Sequence, residues 1–388
     1  MCRDPRFEDT LKITIFGLTI SSSWGNGHAT PYRAILKALH RRGHHVVFYE
    51  KDVEYYALRR DFNQCSYCEL VLYRTWHEIR ERALRDAADS DVVMTASYCP
   101  EGAQINTELL DFDKPLHVYY DLDTPVSLNN LNNGDLQYLT RDQMPAFDLV
   151  LSWTGGDGLR ELSERWGARM VRPLFGCVDP DVYRRVDPRP EFTSALSYMG
   201  TYAADRQQKV DDFFLEPARR REDLNFVLAG TLYPWHWQWP ANVRRFDHVA
   251  PEQHSALYSS SRITLNITRE DMARSGWCPS GRFFEAAACG TPIISDWWNG
   301  LADFFTPGEE IVLARSSDDV MTALSMSDEE LQRIARLARE RTLAEDTGDH
   351  RAEELLKYLD EAQRSSSSWV PSLTSAEKSA VNRDITSV

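Results

Sequence analysis

The sequence has no long hydrophobic segment. In its 388 residues, no uninterrupted apolar run approaches the roughly 20 residues that span a bilayer, which argues against a transmembrane segment. The N-terminus, Met1-Cys-Arg-Asp-Pro-Arg, is polar and lacks the hydrophobic core of a signal peptide. We therefore expect a cytoplasmic protein.

Basic residues and paired cysteines are also scarce. Lys and Arg total 44 against 59 Asp and Glu, and the formal net charge of −15 repels nucleic acid, so no nucleic-acid partner is expected. The seven cysteines are an odd number spread over a long chain, as is typical of reduced thiols. Cys65 and Cys68 form a lone Cys-x-x-Cys pair with no second pair or histidine cluster nearby, which disfavours zinc binding and redox chemistry.

What the sequence does contain is an alternation of strand and helix patterns. A length of 388 residues with 42% hydrophobic residues suits two domains. Short apolar runs rich in β-branched residues alternate with helical patterns, which predicts an α/β fold with doubly wound parallel sheets. In the first half we expect strands at 12–17, 45–49, 70–73, 91–94, 116–120, 147–151 and 170–174.

The stretch 280–296 has the features of a nucleotide diphosphate site. Ser280 and Gly281 precede a short helix, and the unpaired N–H groups and dipole of a helix N-terminus attract phosphate. Arg282 adds a fork of donors, and a carboxylate at Glu285 can accept hydrogen bonds from both ribose hydroxyls. An ordinary amphipathic helix before a strand is the alternative interpretation.

Glycine follows two predicted strands of the second half, at 195–199 and 226–229, and lets the backbone approach a ligand there. Cations on the helix after the first of these strands can neutralise a diphosphate. The residues that this pattern adds to the predicted site are Gly200, Thr201, Arg206, Lys209, Gly230 and Thr231.

The stretch 280–296 resembles the corresponding segment of group 1 glycosyltransferases, and more closely that of the CgeB-like branch named for spore maturation. In both, a glutamate at the position of Glu285 precedes a small-residue helix and a Gly-Thr-Pro turn. The resemblance implies a GT-B fold, with two Rossmann-like domains facing each other across a cleft, and a nucleotide-sugar donor. One position departs from the family: Trp277 stands where the wider family often has a second acidic residue.

The first half is similar to the acceptor domain of GT-B glycosyltransferases. Gly27-His-Ala-Thr-Pro and, after a helix, Arg42-Gly-His44 match its opening, and in the natural-product branch the histidine at the position of His28 is the general base on the acceptor hydroxyl. An imidazole suits this role because its unperturbed pKa lies near neutrality. A helix cap and a phosphate contact are the alternatives. A dinucleotide fingerprint is disfavoured because Thr30 stands where its third glycine belongs.

Asp121 and Asp123 follow a predicted strand directly and should lie at the carboxyl edge of the sheet, where α/β sites form. Either is expected to orient His28 or to face the acceptor, with loop capping as the alternative. An Asp-x-Asp pair binds a divalent metal in glycosyltransferases of the other major architecture. This pair lies away from the diphosphate loop, so no metal is predicted.

Two features precede the diphosphate loop in the second half. In the family, the segment matching His248 and Val249 borders the nucleobase, generally through backbone groups. Trp235, Trp237 and Trp239 alternate in a proline-bounded loop, which favours a local hydrophobic cluster over stacking on a sugar or base.

The resemblance also implies the domain boundaries, because the segment from Phe175 to Tyr183 is similar to the hinge of group 1 glycosyltransferases. After residue 364 the chain is too polar to supply a core. The predicted parts are an acceptor-binding domain at 1–175, a hinge at 176–193, a nucleotide-sugar-binding domain at 194–343, a crossover helix at 344–364 and a disordered tail at 365–388.

Together these features predict a metal-independent glycosyltransferase of the hexosyltransferase type that needs no cofactor. The expected partners are a nucleotide-diphosphate sugar, with UDP- or dTDP-sugar favoured, and a small-molecule, glycan or protein acceptor with a hydroxyl group. The alternatives are a catalytically silent GT-B-like structural or assembly protein and an NAD(P)-dependent Rossmann oxidoreductase.

Overall fold

The computed structural model describes residues 10–134 and 136–368, which contain two parallel β-sheets. The first sheet has the strand order β3-β2-β1-β4-β5-β6-β7, with every pairing parallel. Its strands are β1 Lys12–Gly17, β2 His45–Lys51, β3 Glu69–Tyr73, β4 Val92–Ala96, β5 Leu116–Asp121, β6 Leu149–Ser152 and β7 Val171–Pro173.

The second sheet has the order β10-β9-β8-β11-β12-β13 and is also parallel throughout. In both sheets the order reverses beside the first strand, at β1/β4 and at β8/β11, which opens a crevice at the carboxyl ends of the strands. The strands of the second sheet are β8 Ser194–Met199, β9 Phe226–Ala229, β10 Val243–Phe246, β11 Ser261–Asn266, β12 Ile293–Ser295 and β13 Val312–Leu313.

Helices connect the strands of each sheet, as right-handed crossovers in parallel sheets require. In the first half they are α1 Ala29–Arg41, α2 Glu54–Ala57, α3 Trp76–Asp89, α4 Gly102–Leu109, α5 Thr124–Asn133 and α6 Asp157–Glu164. In the second half they are α7 Ala204–Val210, α8 Glu216–Arg220, α9 Pro251–Ser259, α10 Glu270–Ser275, α11 Gly281–Ala288, α12 Leu301–Phe304, α13 Ser317–Leu324, α14 Asp328–Glu345 and α15 Gly348–Ser368. A π-helical turn, Asp211–Leu215, joins α7 to α8.

The last helix returns to the first half. Leu355 and Leu359 of α15 are buried in the same core as Ile13 and Ile15 of β1. Arg42, just after α1, forms ion pairs with Asp349 at 2.5 Å and with Glu353 at 2.6 Å. The helix therefore packs on the first half of the chain, and a crossover helix at 344–364 stays a prediction.

The expected strands of the first half all appear, with ends shifted by a residue or two. The tail differs from expectation: the sequence predicts a disordered tail from 365, but residues 365–368 continue α15 to Ser368. The Ser365 hydroxyl donates to the Glu361 carbonyl one turn earlier, a bond that serine can make inside a helix. The rest of the expected tail, 369–388, lies outside the described residues. The domain boundary at 176–193 stays a prediction, and it falls between β7 and β8.

Trp277 connects the two halves. Its backbone N–H donates to the Asn299 carbonyl at 2.7 Å, and its own carbonyl accepts from the Gly155 N–H at 2.9 Å. The indole fills space that side chains on neighbouring glycines would need: a Cβ on Gly156 or on Gly300 would lie 2.4 Å from an indole atom. Gly156 and Gly300 also have positive φ angles of 63° and 86°. Both the space taken by the indole and the backbone conformation therefore favour glycine at these two positions.

Across the described part of the chain, no helix has the length and apolar character needed to cross a membrane.

Candidate functional site

A cavity of about 420 Å³ lies between the two halves, at the carboxyl ends of both sheets. Thirteen of the fifteen residues predicted for the site line it, whereas Asp121 and Lys209 do not. The predicted residues in the lining are His28, Asp123, Gly200, Thr201, Arg206, Gly230, Thr231, His248, Val249, Ser280, Gly281, Arg282 and Glu285. The structure thus assembles segments that are far apart in the sequence.

Arg206 and Arg282 supply positive charge to the second-half wall. Arg282 donates through Nη1 to the Met199 carbonyl at 2.8 Å, and Arg206 donates through Nη2 to the Thr201 carbonyl. Among the described residues, the buried Nε atoms of both arginines have no hydrogen-bond partner. Both arginines line the cavity, and their positive guanidinium groups suit an anionic ligand there.

Lys209 forms an ion pair with a buried aspartate and does not line the cavity. Its Nζ lies 2.6 Å from Oδ2 of Asp296, whose side chain is buried. The other oxygen of Asp296 accepts from the backbone N–H of Thr268 at 3.0 Å and from its hydroxyl at 2.9 Å. Lys209 therefore neutralises a buried carboxylate that fixes Thr268, a residue of the cavity lining.

Gly200 and Gly230 pack backbone against backbone. A Cβ on Gly230 would lie 2.0 Å from the Gly200 carbonyl oxygen, so no side chain fits there. A Cβ on Gly200 would lie 3.0 Å from Nη1 of Arg282. The glycines thus allow the ends of β8 and β9 to meet beneath Arg282, which is a packing reason in addition to ligand access.

Glu285 faces the cavity from the first turns of α11 and is only 5% exposed. Its Oε1 accepts from the Thr30 hydroxyl at 3.0 Å, and its Oε2 accepts from the Tyr258 hydroxyl at 3.4 Å. Thr30 belongs to α1 of the first half, so this carboxylate links the two walls. The spare acceptor capacity of its two oxygens is what a ribose diol would use.

Asp121 and Asp123 have opposite environments although they are two residues apart. Asp121 is fully buried: Oδ1 accepts from the Ser127 hydroxyl at 2.8 Å, and Oδ2 makes no hydrogen bond of ordinary geometry to any residue that the structure describes. Burial raises the pKa of Asp121 to about 6. Asp123 lines the cavity. Burial opposes its ionisation, but the neighbouring His28 and the Tyr98 hydroxyl outweigh burial and hold the pKa of Asp123 below its usual value.

His28 lies at the start of α1 with its Nε2 3.7 Å from Oδ1 of Asp123. Its side chain makes no capping hydrogen bond to the helix, so the alternative of a helix cap does not hold. The Trp153 ring packs edge-on against the imidazole, with the ring centroids 5.2 Å apart. Tyr98, in a left-handed backbone conformation with φ 65°, donates to Asp123 at 2.8 Å. The imidazole is therefore positioned by side chains from several loops.

His248 and Val249 both border the cavity, and an aromatic contact across the cleft joins His248 to the first half. The His248 ring lies 4.7 Å from the Trp24 ring, and the Arg59 guanidinium lies 3.7 Å from the Trp24 ring on the first half. Burial lowers the pKa of His248. The Val249 carbonyl accepts from Nε2 of His254 at 2.9 Å, which fixes the backbone at this position.

Several lining residues were missed from the sequence. Three of them share one signal, a position just after a parallel strand, where α/β sites form. Thr268 and Arg269 follow β11, and Trp153 follows β6. Thr30 carried no such signal, because it acts through a contact with Glu285, 255 residues away.

The tryptophan loop is partly as expected. Trp237 and Trp239 pack together with Tyr233 in a local cluster, the Tyr233 and Trp239 ring centroids being 5.5 Å apart. Trp235, however, is 91% exposed and belongs to no cluster core. Leu232, three residues before Trp235, has a positive φ of 68° and is also exposed.

Within the residues that the structure describes, no three His, Cys, Asp or Glu side chains come together in a way that would hold a metal ion.

Comparison with solved structures finds the same arrangement in glycosyltransferases. Sucrose-phosphate synthase from Thermosynechococcus elongatus superposes with a TM-score of 0.65 at 12% identity, covering 92% of this chain and 100% of that one. An α-glucosyltransferase in complex with UDP gives a TM-score of 0.67 at 14% identity over 90% of this chain and 100% of that one. The fold is GT-B. HepE from Anabaena, in complex with UDP and glucose, gives a TM-score of 0.64 at 11% identity, again over 90% and 100% of the two chains.

The sequence comparison is narrower. Residues 206–357 match a family model described as glycosyl transferase-like, which places a glycosyltransferase-like domain in the second half of this GT-B protein. A search of curated proteins finds no match.

Proposed function

We propose that this GT-B protein is a glycosyltransferase that moves a sugar from a nucleotide-diphosphate sugar, UDP- or dTDP-sugar being favoured, to a hydroxyl acceptor without a metal ion. The observation that carries the proposal is the pair of arginines, Arg206 and Arg282, in the lining of the cavity, with Arg282 in the first turn of α11. The glycosyl transferase-like match over 206–357 and the UDP bound by structural neighbours support it. Hexosyl transfer and membership of the CgeB-like branch are parts of the same proposal.

In this proposal the second-half wall holds the donor. Arg206, Arg282 and the start of α11 stabilise the negative charge that develops on the departing diphosphate. Glu285 accepts from the ribose hydroxyls, and the backbone at His248 and Val249 borders the base. Lys209 acts indirectly, because it holds Asp296 and through it Thr268.

The first-half wall supplies the general base that removes the proton of the acceptor hydroxyl. As the acceptor hydroxyl oxygen attacks the anomeric carbon, the bond from that carbon to the diphosphate oxygen breaks and the hydroxyl proton must leave. With Nε2 of His28 turned toward the ionised Asp123, Nδ1 takes this proton and Asp123 stabilises the resulting imidazolium. Tyr98 holds the carboxylate in place.

A nucleotide panel tests the proposal. We expect thermal stabilisation by UDP or dTDP, none by NAD(P), and release of nucleoside diphosphate from a nucleotide sugar when acceptors are supplied. Stabilisation by NAD(P) alone would instead support an oxidoreductase. Indifference to every nucleotide would overturn the transferase in favour of a silent structural protein.

A further inference from the structure

Arg269 is a further arginine in the lining of the cavity, besides Arg206 and Arg282. It lies between β11 and α10, and its side chain is 44% exposed, so a ligand in the cavity can reach it. Its Nε donates to Asp205 at 3.2 Å, and no residue that the structure describes accepts a hydrogen bond from its two Nη nitrogens. These two nitrogens are therefore available to a ligand.

Contacts on both sides hold the backbone at Arg269. Asp205 accepts from the N–H of the residue that follows Arg269 at 3.3 Å, in addition to its bond with the arginine side chain. Before Arg269, the buried Asp296 accepts from the backbone N–H of Thr268 at 3.0 Å and from its hydroxyl at 2.9 Å. The guanidinium is thus held in place before a ligand arrives, and a preorganised charge stabilises developing charge without costly rearrangement.

Arg269 comes from the same part of the second-half wall as the two arginines assigned to the diphosphate. Its partner Asp205 is the chain neighbour of Arg206. Nη2 of Arg282 donates to the side chain of Asn266 at 3.4 Å, at the end of β11. Because Asn266 precedes Arg269 by only three residues, the three guanidinium groups belong to one region of the cavity.

Arg269 also faces the general base of the first half. Helix α10 packs against α5, and Arg269 and Asp123 immediately precede these two helices and both line the cavity. Burial opposes the ionisation of Asp123, but His28, Tyr98 and Arg269 outweigh burial and hold the pKa of Asp123 below its usual value. Arg269 therefore lies on the side of the diphosphate wall that is turned toward His28 and Asp123.

We propose that Arg269 is a further catalytic residue, which binds the terminal phosphate of the nucleoside diphosphate, the phosphate that carries the sugar. This inference rests on the proposed function. The sugar must reach the general base, so the phosphate attached to it is the one nearer to His28 and Asp123. As the bond from the anomeric carbon to the phosphate oxygen breaks, the electron pair stays on that oxygen, and the Arg269 guanidinium donates to the developing charge.

The binding test compares a nucleoside diphosphate with its monophosphate, because only the diphosphate carries the second phosphate. UDP and UMP are titrated into the full chain by calorimetry, or dTDP and dTMP if these bind more tightly. In Arg269→Gln, affinity for the diphosphate should fall by about 10- to 100-fold, and affinity for the monophosphate by less than about 3-fold. An unchanged ratio of the two affinities would overturn the inference and reduce Arg269 to the ion pair with Asp205.

Arg274→Gln is the matched control. Arg274 belongs to the same helix and pairs with Glu270 at 2.7 Å, but it does not line the cavity, so its loss should leave both affinities close to wild type. Circular dichroism checks that the variants keep the fold. If Arg269→Gln does not, Arg269→Lys replaces it: a single ammonium lacks the fork of donors, so affinity for the diphosphate should still fall by about 3- to 10-fold.

Release of nucleoside diphosphate from the nucleotide sugar gives a second measurement. In Arg269→Gln, kcat should fall by about 10- to 100-fold and by more than KM rises, because the contact strengthens as charge develops on the leaving phosphate. An unchanged kcat would contradict a catalytic contact. The two proposals can fail separately: a wild type that binds no nucleotide contradicts the transferase itself, whereas normal binding with an unchanged affinity ratio in the variant removes only the role of Arg269.

Discussion

The two walls of the cleft differ in how their polar groups are partnered. On the second-half wall, Arg206 and Arg282 are anchored by backbone carbonyls and still hold an unpartnered N–H. On the first-half wall, His28 and Asp123 face each other, and Tyr98 completes the bonding of the carboxylate. In the proposed function, the second-half wall receives the diphosphate and the first-half wall takes the proton of the acceptor hydroxyl. Substitutions on each wall should therefore change different measured quantities.

The largest effect should come from His28→Ala. Transfer should fall by about 10²–10⁴-fold if proton removal limits the rate, because the acceptor loses its general base. Nucleotide affinity, measured by calorimetry, should stay close to wild type, since the donor contacts belong to the opposite wall. Near-normal transfer would remove His28 from the chemistry and favour a retaining route, in which the departing phosphate takes the proton.

Arg282→Ala should show the reverse pattern. Loss of a charge-assisted contact to a diphosphate should weaken nucleotide binding by about 1.5–3 kcal/mol while the fold persists. Arg262→Ala is the matched control: its guanidinium also donates to backbone carbonyls, those of Leu324 and Met326, but does not line the cavity. Equal nucleotide affinities of the Arg282 variant and wild type would show that the diphosphate lies elsewhere.

Glu285→Gln should weaken nucleotide binding by about 1–3 kcal/mol, because an amide is a poorer acceptor for the ribose hydroxyls. The variant also turns an N–H toward the Thr30 or Tyr258 hydroxyl. Thr30→Val separates the two effects, since it removes a partner of Glu285 without touching the carboxylate. If both variants lose the same affinity, Glu285 acts by joining the two walls rather than by binding ribose.

Asp121→Asn should change the pH dependence of stability. The native pKa of about 6 lies above the usual 3.8, so the native state binds this proton more tightly, and the free energy of unfolding falls as pH rises from about 4 to 6. The amide imitates the protonated carboxyl and should raise stability at pH 7 by about 1–2 kcal/mol, measured by urea denaturation. Asp346, whose pKa is also raised to about 6, contributes equally to the pH dependence of the free energy of unfolding in the wild type and in the variant. An unchanged pH profile would contradict the assigned environment.

The smallest effect should follow from Tyr98→Phe. Loss of one hydrogen bond to the Asp123 carboxylate should lower the transfer rate by about 3- to 10-fold. Because that hydrogen bond helps to hold the pKa of Asp123 below its usual value, its loss should move the acid limb of the pH–rate profile to higher pH. Tyr138→Phe is the control: its ring lies 5.3 Å from that of Tyr98, but its hydroxyl bonds to Ser127. Similar pH profiles for both variants would limit Tyr98 to packing.

The fold was largely predictable because buried parallel strands give apolar runs, as at 12–17 and 116–120, and the residues that follow strands form the crevice. What the sequence could not show is pairing between distant segments. Nothing near Thr30 signals Glu285, and nothing near Trp24 signals His248. Lys209 has the charge and the sequence position expected of a residue that binds phosphate, but it forms an ion pair with the buried Asp296 instead. Such competition between partners is decided only by tertiary packing.

Trp277 also bears on what it costs to separate the two halves. Its indole fills the space beside Gly155, Gly156 and Gly300, where a Cβ on either of the last two would lie 2.4 Å from an indole atom. Because the Trp277 carbonyl also accepts from the Gly155 N–H, opening the cleft at this point must withdraw the ring from the first half and break that hydrogen bond. Opening here therefore costs aromatic packing as well as a hydrogen bond.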